Sequence, residues 1–451
     1  MADILLTHSN HLYSDRKQVR KMQPYPPLQT LIAAAKLRES GYSVALRDVT
    51  LANFPEEEFR AALVEQRPSM VAVVEDNFNF LSKMCLTCNR SLAFRMCSAA
   101  REDGIPTVVN GSDATDHAGA YLEAGFEMVV MGEVESGLEA AVRQMIGGQD
   151  LRLRGRVGPL TPIAELDALP DPAWDLVDID AYRAAWKEAH GYFSMNITSS
   201  RGCPYRCNWC AKPIFGSRYR FRSPERVAKE MLFLKRECGA EHLWFTDDIF
   251  ALSPQWTRSF AEIVEQIGAV VPFKMQSRCN LMTRDTVAAL RRAGCAEVWM
   301  GAESGSQKIL DAMDKGTRME HIYDARENLR RHGIRACFFL QLGYPGETWE
   351  DIESTIRMVR ETAPDDIGIS VAYPLPGTKF YDRVAAELEE KENWRDSDDL
   401  SMMFHGAYSS EFYRELADAM HQEVRGGDPQ WDRVYALEKS SAKPLPIWTF
   451  C

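Results

Sequence analysis

No stretch of this 451-residue chain reaches the roughly 18 consecutive apolar residues needed to span a bilayer. The opening residues, MADILLTHSN, lack the basic start and long apolar stretch of a signal peptide. Basic charge is short as well: 53 Lys and Arg against 65 Asp and Glu give a formal net charge of −12. No Lys/Arg run offsets this, so nucleic-acid binding by counterion displacement is disfavoured. There is no internal repeat and no low-complexity segment. Cysteine is sparse and odd in number, 11 scattered residues, which is not a disulfide framework. These features predict a cytoplasmic protein with no membrane or nucleic-acid partner. In a reducing compartment, clustered cysteines point to metal or redox chemistry.

What is present is alternation. Apolar runs of strand type occur at 3–7, 42–49, 70–76, 107–111 and 128–133, with helical patterns such as LQTLIAAAKLRES (closed by Gly41) between them. Strands alternating with helices predict an α/β fold with a doubly wound parallel sheet over residues 1–148. Such sheets bind ligands beyond the carboxyl ends of their strands. The residues found there are His8, Ser9, Asn10, Asp76, Asn77, Gly111, Ser112, Asp113, Gly132 and Glu133. A Gly-x-Gly-x-x-Gly after the first strand is missing, so a dinucleotide has no support.

Residues 149–190 read as a proline-broken linker. A second series of strands follows at 194–200, 242–248, 272–278, 297–304, 335–343 and 366–373, predicting a partial (β/α)6 barrel over 191–385. The helix after Ser223-Pro224 has a good N-cap and first turn. Residues 386–451 form a short, mostly helical tail: an acidic stretch at 387–399, then a helical pattern near 410–425.

Directly after the first barrel strand comes RGCPYRCNWC, with Cys203, Cys207 and Cys210 inside eight positions and no fourth cysteine nearby. Three thiolates in one loop can hold three irons of a [4Fe–4S] cluster and leave the fourth open, whereas an electron-transfer cluster takes four cysteines. Structural zinc is the duller alternative, and it too wants a fourth ligand.

This loop, with Trp209 as the aromatic residue before its last cysteine, resembles that of the radical S-adenosylmethionine (radical SAM) enzymes. WFTDDIF is similar to the family's second-strand exit, which implies Asp247 and Asp248 at the methionine end of SAM. GAESGSQKIL implies Glu303 and Ser304 at the ribose, and LGYPGET implies Gly343, Gly346 and Glu347 near the adenine. Arg278, in MQSRCN, is a candidate for the SAM carboxylate or for a barrel-rim ion pair. The first half resembles the Rossmann-like domain of the cobalamin-binding branch, which would make its loop-end residues the cobalamin site. In SDATDHAGA, Thr115 and Ala120 replace the Asp and Gly that accompany a cobalt-ligating histidine, so no histidine ligand from His117 or His8 is expected.

The resemblance implies a cobalamin-dependent radical SAM enzyme of the methyltransferase-like type. Such an enzyme methylates an unactivated carbon or phosphorus of a small or medium-sized metabolite through a 5′-deoxyadenosyl radical and methylcobalamin. A flavodoxin or ferredoxin-type reductant is implied. Oxidative cyclisation or ring rearrangement without methyl transfer is the alternative reading, and a non-catalytic cobalamin or SAM sensor a third. Remaining features have bland readings: Cys85, Cys88, Cys97, Cys279, Cys295 and Cys337 as core residues, and His242 as buried and hydrogen-bonded. Residues 401–416 read as packing against the barrel and Cys451 as a terminus. Tyr25 and prolines 24–27 either shape the cobalamin pocket or cap the first helix.

Overall fold

The computed structural model describes residues 2–78, 86–148, 155–158, 161–212, 214–388 and 400–441. Cys85, Cys451 and most of the acidic run 387–399 lie outside the described residues.

Short, β-branched apolar runs make a sheet buried on both faces. Its strands are β1 (Ile4–Thr7), β2 (Val44–Arg47), β3 (Met70–Val74), β4 (Thr107–Asn110), β5 (Met128–Val130) and β6 (Gly155–Val157). All are parallel, in the order β2-β1-β3-β4-β5-β6. Period-two alternation splits the apolar residues between two cores: Leu5, Val71 and Val73 pack on one face, Ile4, Leu6 and Ala72 on the other. The chain leaves β1 for opposite sides of the sheet, so the switch point, and the ligand crevice it creates, lies between β1 and β3. Strand β6 falls inside the stretch expected to be linker, as does a helix over Ile179–His190. With three residues and an exposed Arg156 in the middle, β6 carries almost no apolar signal.

The second sheet contains β7 (Ser194–Ile197), β10 (His242–Phe245), β11 (Phe273–Ser277), β12 (Cys295–Glu303), β13 (Arg335–Leu342) and β14 (Asp366–Val371). They are parallel and each pairs with the next in sequence, the order of a six-stranded partial barrel. A two-residue antiparallel pair, β8 (Ser200–Arg201) with β9 (Arg220–Phe221), closes the base of the cysteine loop. The Ser223 side chain accepts from Arg226 N, capping the helix Pro224–Arg236 as its sequence suggests.

The two halves share a core. Leu28, Leu31 and Phe78 pack in one apolar cluster with barrel residues. Trp186 Nε1 donates to Pro24 O (2.6 Å), and Asn196 Nδ2 to Pro26 O (2.9 Å). Pro27 does precede the helix Leu28–Glu39, but Tyr25 neither caps it nor borders the first sheet's crevice. Its ring is buried against Trp244, with the hydroxyl 3.2 Å from Ser194 Oγ, so it plugs the amino end of the barrel.

The tail forms helices Ser410–Val424 and Trp431–Ser441, and Met402, Phe404, Phe412 and Tyr413 are buried against the barrel. Cys97, Cys279, Cys295 and Cys337 are core residues. Cys88 is half-buried instead, with its thiol 3.8 Å from Ser14 O. His242 is held by Ser194 Oγ at 2.8 Å, and burial with the nearby Lys274 charge pushes its pKa down to about 3. No helix among the described residues is long and apolar enough to cross a membrane.

Candidate active site

The cysteine loop is fixed before it begins. Asp247, enclosed at 2% exposure, accepts from Ser199 N (3.0 Å), Ser199 Oγ (2.9 Å) and Ser200 Oγ (2.6 Å), and burial raises its pKa to about 7. Asp247 therefore holds the strand exit, while the exposed Asp248 accepts from Gly202 N at 3.0 Å. Gly202 has φ +80, and a Cβ there would collide with the Arg218 carbonyl, so only glycine fits. Lys212 donates to Cys203 O (2.9 Å) and to Tyr205 O. Asn208 anchors the far side, donating from Nδ2 to Ala312 O (2.8 Å) and accepting from Tyr344 OH (2.8 Å).

Cys203, Cys207 and Cys210 are half-buried and none is in a disulfide. Among the described residues no three His, Cys, Asp or Glu side chains converge on a point that could hold a single metal ion.

Three charged residues surround the loop. Arg278 Nη1 lies 3.4 Å from Cys207 Sγ, its guanidinium sits 3.8 Å over the Tyr205 ring, and Nη2 reaches Thr317 Oγ1 (3.0 Å) and Lys315 O. Arg278, expected at the SAM carboxylate or in a rim ion pair, contacts the cysteine loop directly and has no carboxylate partner among the described residues. Glu303 ends β12 at φ +62, after a register shift between Gly301 and Glu303. A non-glycine residue held there is a strained position of the kind found at functional sites. Its carboxylate meets Lys315 Nζ at 2.6 Å, both side chains 6% exposed. Burial, the largest influence, lowers the Lys315 pKa, but the charges of Glu303 and Cys207 and the Glu303 hydrogen bond together hold the amine above its usual value. The Trp209 ring lies 5.8 Å from the same amine.

Ser304 is wholly buried and spent on Thr355 Oγ1 (3.3 Å) and Ser306 N (3.1 Å). Glu347 accepts from Gly343 N (2.6 Å), its other oxygen has no partner, and burial pushes its pKa up to about 8. Gly343 and Gly346 both have positive φ, so that turn needs its glycines.

In the first half, His8, Ser9 and Asn10 follow β1, Asp76 and Asn77 follow β3, and Gly111 follows β4, so all six stand beyond the carboxyl ends of neighbouring strands. His8 is fully enclosed, its Nε2 2.9 Å from Asp48 Oδ1, and Asp48 also accepts from Tyr182 OH (2.6 Å). Burial disfavours the imidazolium, yet the Asp48 hydrogen bond and charge hold the pKa above its ordinary value. Ser9 donates from N (3.0 Å) and Oγ (2.6 Å) to Glu75, and burial raises Asp76 to about 7. His8 Nδ1, Glu75 Oε2 and Asn77 Oδ1 are buried without a hydrogen-bond partner. Gly111 packs so closely that a Cβ would approach Glu75 Cγ to 2.8 Å.

The remaining candidates are used elsewhere. Ser112 and Asp113 open the helix Ser112–Asp116, and Asp113 is tied to Arg90 Nε (2.7 Å) and Tyr121 OH (2.8 Å). Gly132 faces the Ile214 carbonyl, 3.8 Å from where a Cβ would stand. Glu133 belongs to the junction: it accepts from Arg201 Nη1 (2.8 Å) and pairs with Arg220. Arg201 Nη2 reaches Glu135 at 2.5 Å, and Gln29 Nε2 donates to the same Glu135 oxygen at 2.9 Å. The Arg201 guanidinium lies 5.4 Å from the Phe78 ring and 5.2 Å from Phe215. Sequence reasoning missed Lys315, Arg201 and Glu135. Only Arg201 had a visible signal, its place two residues before Cys203.

Residues 197–359 match the family model described as Radical SAM superfamily, so the chain carries a radical SAM domain. An uncharacterized methyltransferase of Pyrococcus horikoshii is 30% identical over 282 residues, covering 60% of this chain and 60% of that protein. The chain thus spans less than two thirds of that relative's length. The anaerobic magnesium-protoporphyrin IX monomethyl ester cyclase of Synechocystis sp. is 23% identical over 368 residues, covering 79% of this chain and 72% of that protein. Among solved structures, the radical S-adenosylmethionine methyltransferase TsrM from Kitasatospora setae, with cobalamin and a [4Fe–4S] cluster bound, is similar with a TM-score of 0.71. Identity there is 19%, over 86% of this chain and 75% of that one, which establishes a common fold across both halves.

Proposed function

We propose that this radical SAM protein is a cobalamin-dependent enzyme that transfers a methyl group to a carbon or phosphorus of a small or medium-sized metabolite. The observation that carries the reading is the place of the cysteine loop. Its three thiols are half-buried, and the buried Arg201, two residues before Cys203, pairs with Glu133 and Glu135 just after β5 of the first half, so the loop is fastened to both halves.

Cys203, Cys207 and Cys210 would hold the cluster and leave one iron for SAM. Arg278 sets positive charge against Cys207, Asp248 offers an exposed carboxylate to an ammonium, and Glu303 with Lys315 offers a paired donor and acceptor. The unpartnered His8 Nδ1, Glu75 Oε2 and Asn77 Oδ1 suit a ligand rich in amides, as cobalamin is, while His8 Nε2 is already taken by Asp48. When bound, these cofactors would supply one-electron cleavage of a sulfonium and a transferable methyl group, with the protein providing orientation and exclusion of water. A flavodoxin or ferredoxin-type protein is the proposed electron source.

A second reading, cobalamin-assisted cyclisation without methyl transfer, is favoured by the similarity to the Synechocystis cyclase over 79% of this chain. Anaerobic reconstitution with iron, sulfide and hydroxocobalamin, followed by SAM and a strong reductant, separates them. Cobalamin-dependent S-adenosylhomocysteine supports methyl transfer. Deoxyadenosine alone, lost in Cys203→Ala, supports the second reading. Neither product would refute both.

A further inference from the structure

A parallel sheet is normally covered on both faces. In the barrel, Met275, Val298, Met300, Ala336 and Phe338 are wholly buried on the helix side, so the alternate residues of β11, β12 and β13 face the lumen. The amino end of that lumen is closed: the Tyr25 and Trp244 rings lie 4.8 Å apart, with Lys274 Nζ 5.7 and 5.4 Å from them. At the other end Gly301 adjoins the Glu303–Lys315 pair.

Between these ends stands an aromatic pair. The Trp299 and Phe339 rings stack at 4.8 Å and 30°, and both remain half-exposed although β12 and β13 are interior strands. Trp299 is held in place by donation from Nε1 to Glu297 Oε1 at 2.8 Å. The facing residue is Gly368, where a Cβ would come within 3.2 Å of Phe339 and 3.3 Å of Trp299. A side chain there would crowd the rings. Gln341, one repeat beyond Phe339 and about 7 Å along the strand, is 4% exposed, and its amide oxygen has no hydrogen-bond partner. A buried acceptor left so is costly unless a ligand donates to it.

The geometry points to a substrate platform: Trp299 and Phe339 take the face of a flat aromatic ligand, and Gln341 accepts from an N–H or O–H at its edge. The inference deepens the proposed function and rests on it for the claim that this ligand is the one that reacts. A flat ring gains offset stacking that a saturated ring of the same size does not.

The test uses the full chain carrying its reconstituted cluster, with indole, 1-methylindole and cyclohexanol as probes in calorimetric titrations. Indole is expected to bind about tenfold more tightly than either of the others, from one hydrogen bond or one stacking contact. Gln341→Leu should abolish the preference for indole over 1-methylindole. Trp299→Leu should weaken both indoles about tenfold. Equal binding of all three probes to the unsubstituted protein overturns the platform without relying on any variant. SAM cleavage is measured in the same preparation. Cleavage without ring preference overturns the platform and leaves the functional reading. Ring preference in a preparation that never cleaves SAM supports the platform and overturns that reading.

Discussion

Arg201 Nη1 lies 2.8 Å from Glu133 Oε2, joining the residue that precedes the cysteine loop to the exit of β5 in the other half. Both side chains are 2% exposed, and Glu135, at 1%, takes the second nitrogen. Replacing such a buried pair with apolar groups can be neutral, but removing one partner strands a charge.

Arg201→Met is therefore expected to destabilise the chain by about 3–5 kcal/mol, read from chemical denaturation. Adding Glu133→Gln and Glu135→Gln should recover part of that loss. An unchanged denaturation midpoint in the single variant would mean that the junction does not depend on this pair.

Lys315→Met leaves Glu303 enclosed without its cation. SAM affinity, measured by equilibrium binding, should fall at least about tenfold, the worth of one charge-assisted hydrogen bond. Lys315→Arg, which keeps the charge, should fall less.

Iron content separates cluster ligands from core cysteines. Cys203→Ala, Cys207→Ala and Cys210→Ala should each lose most of the roughly four irons of a reconstituted cluster. Cys295→Ala and Cys337→Ala, altered inside the core, should retain them.

Glu347 carries a pH signature. Its pKa rises from 4.5 to about 8 on folding, through burial, so the folded chain keeps a proton that the unfolded chain has released. Its contribution to stability is present below pH 4.5 and is lost as pH rises to about 8, at up to about 1.4 kcal/mol per pH unit. Glu347→Gln should remove that slope, so the variant gains on the unsubstituted protein across this window and the gap levels off above it. Parallel stability curves would contradict the assignment.

The parallel, helix-alternating character of both sheets was legible because apolar runs and helical periodicity alternate so regularly, and the cysteine loop was legible from spacing alone. Strand β6 was not, since an edge strand with an exposed Arg156 has no alternation to read. Asp113 and Glu133 sit where crevice residues belong in sequence, but arginines from elsewhere in the chain, Arg90 and Arg201, turn them away. No local pattern reveals a partner 68 residues distant. Lys315 is hidden for the same reason: only the fold brings it across a loop to Glu303. Tyr25 was misplaced because a residue next to the first helix looks like part of the first domain, whereas its ring fills the second.

The central claim is that Cys203, Cys207 and Cys210 hold a [4Fe–4S] cluster with one iron open to SAM. Mössbauer spectroscopy of the iron-57-reconstituted protein tests it most directly. Adding SAM should shift one iron site in four and leave the other three unchanged. A spectrum with four equivalent sites before and after SAM, or with no cluster at all, would contradict the account.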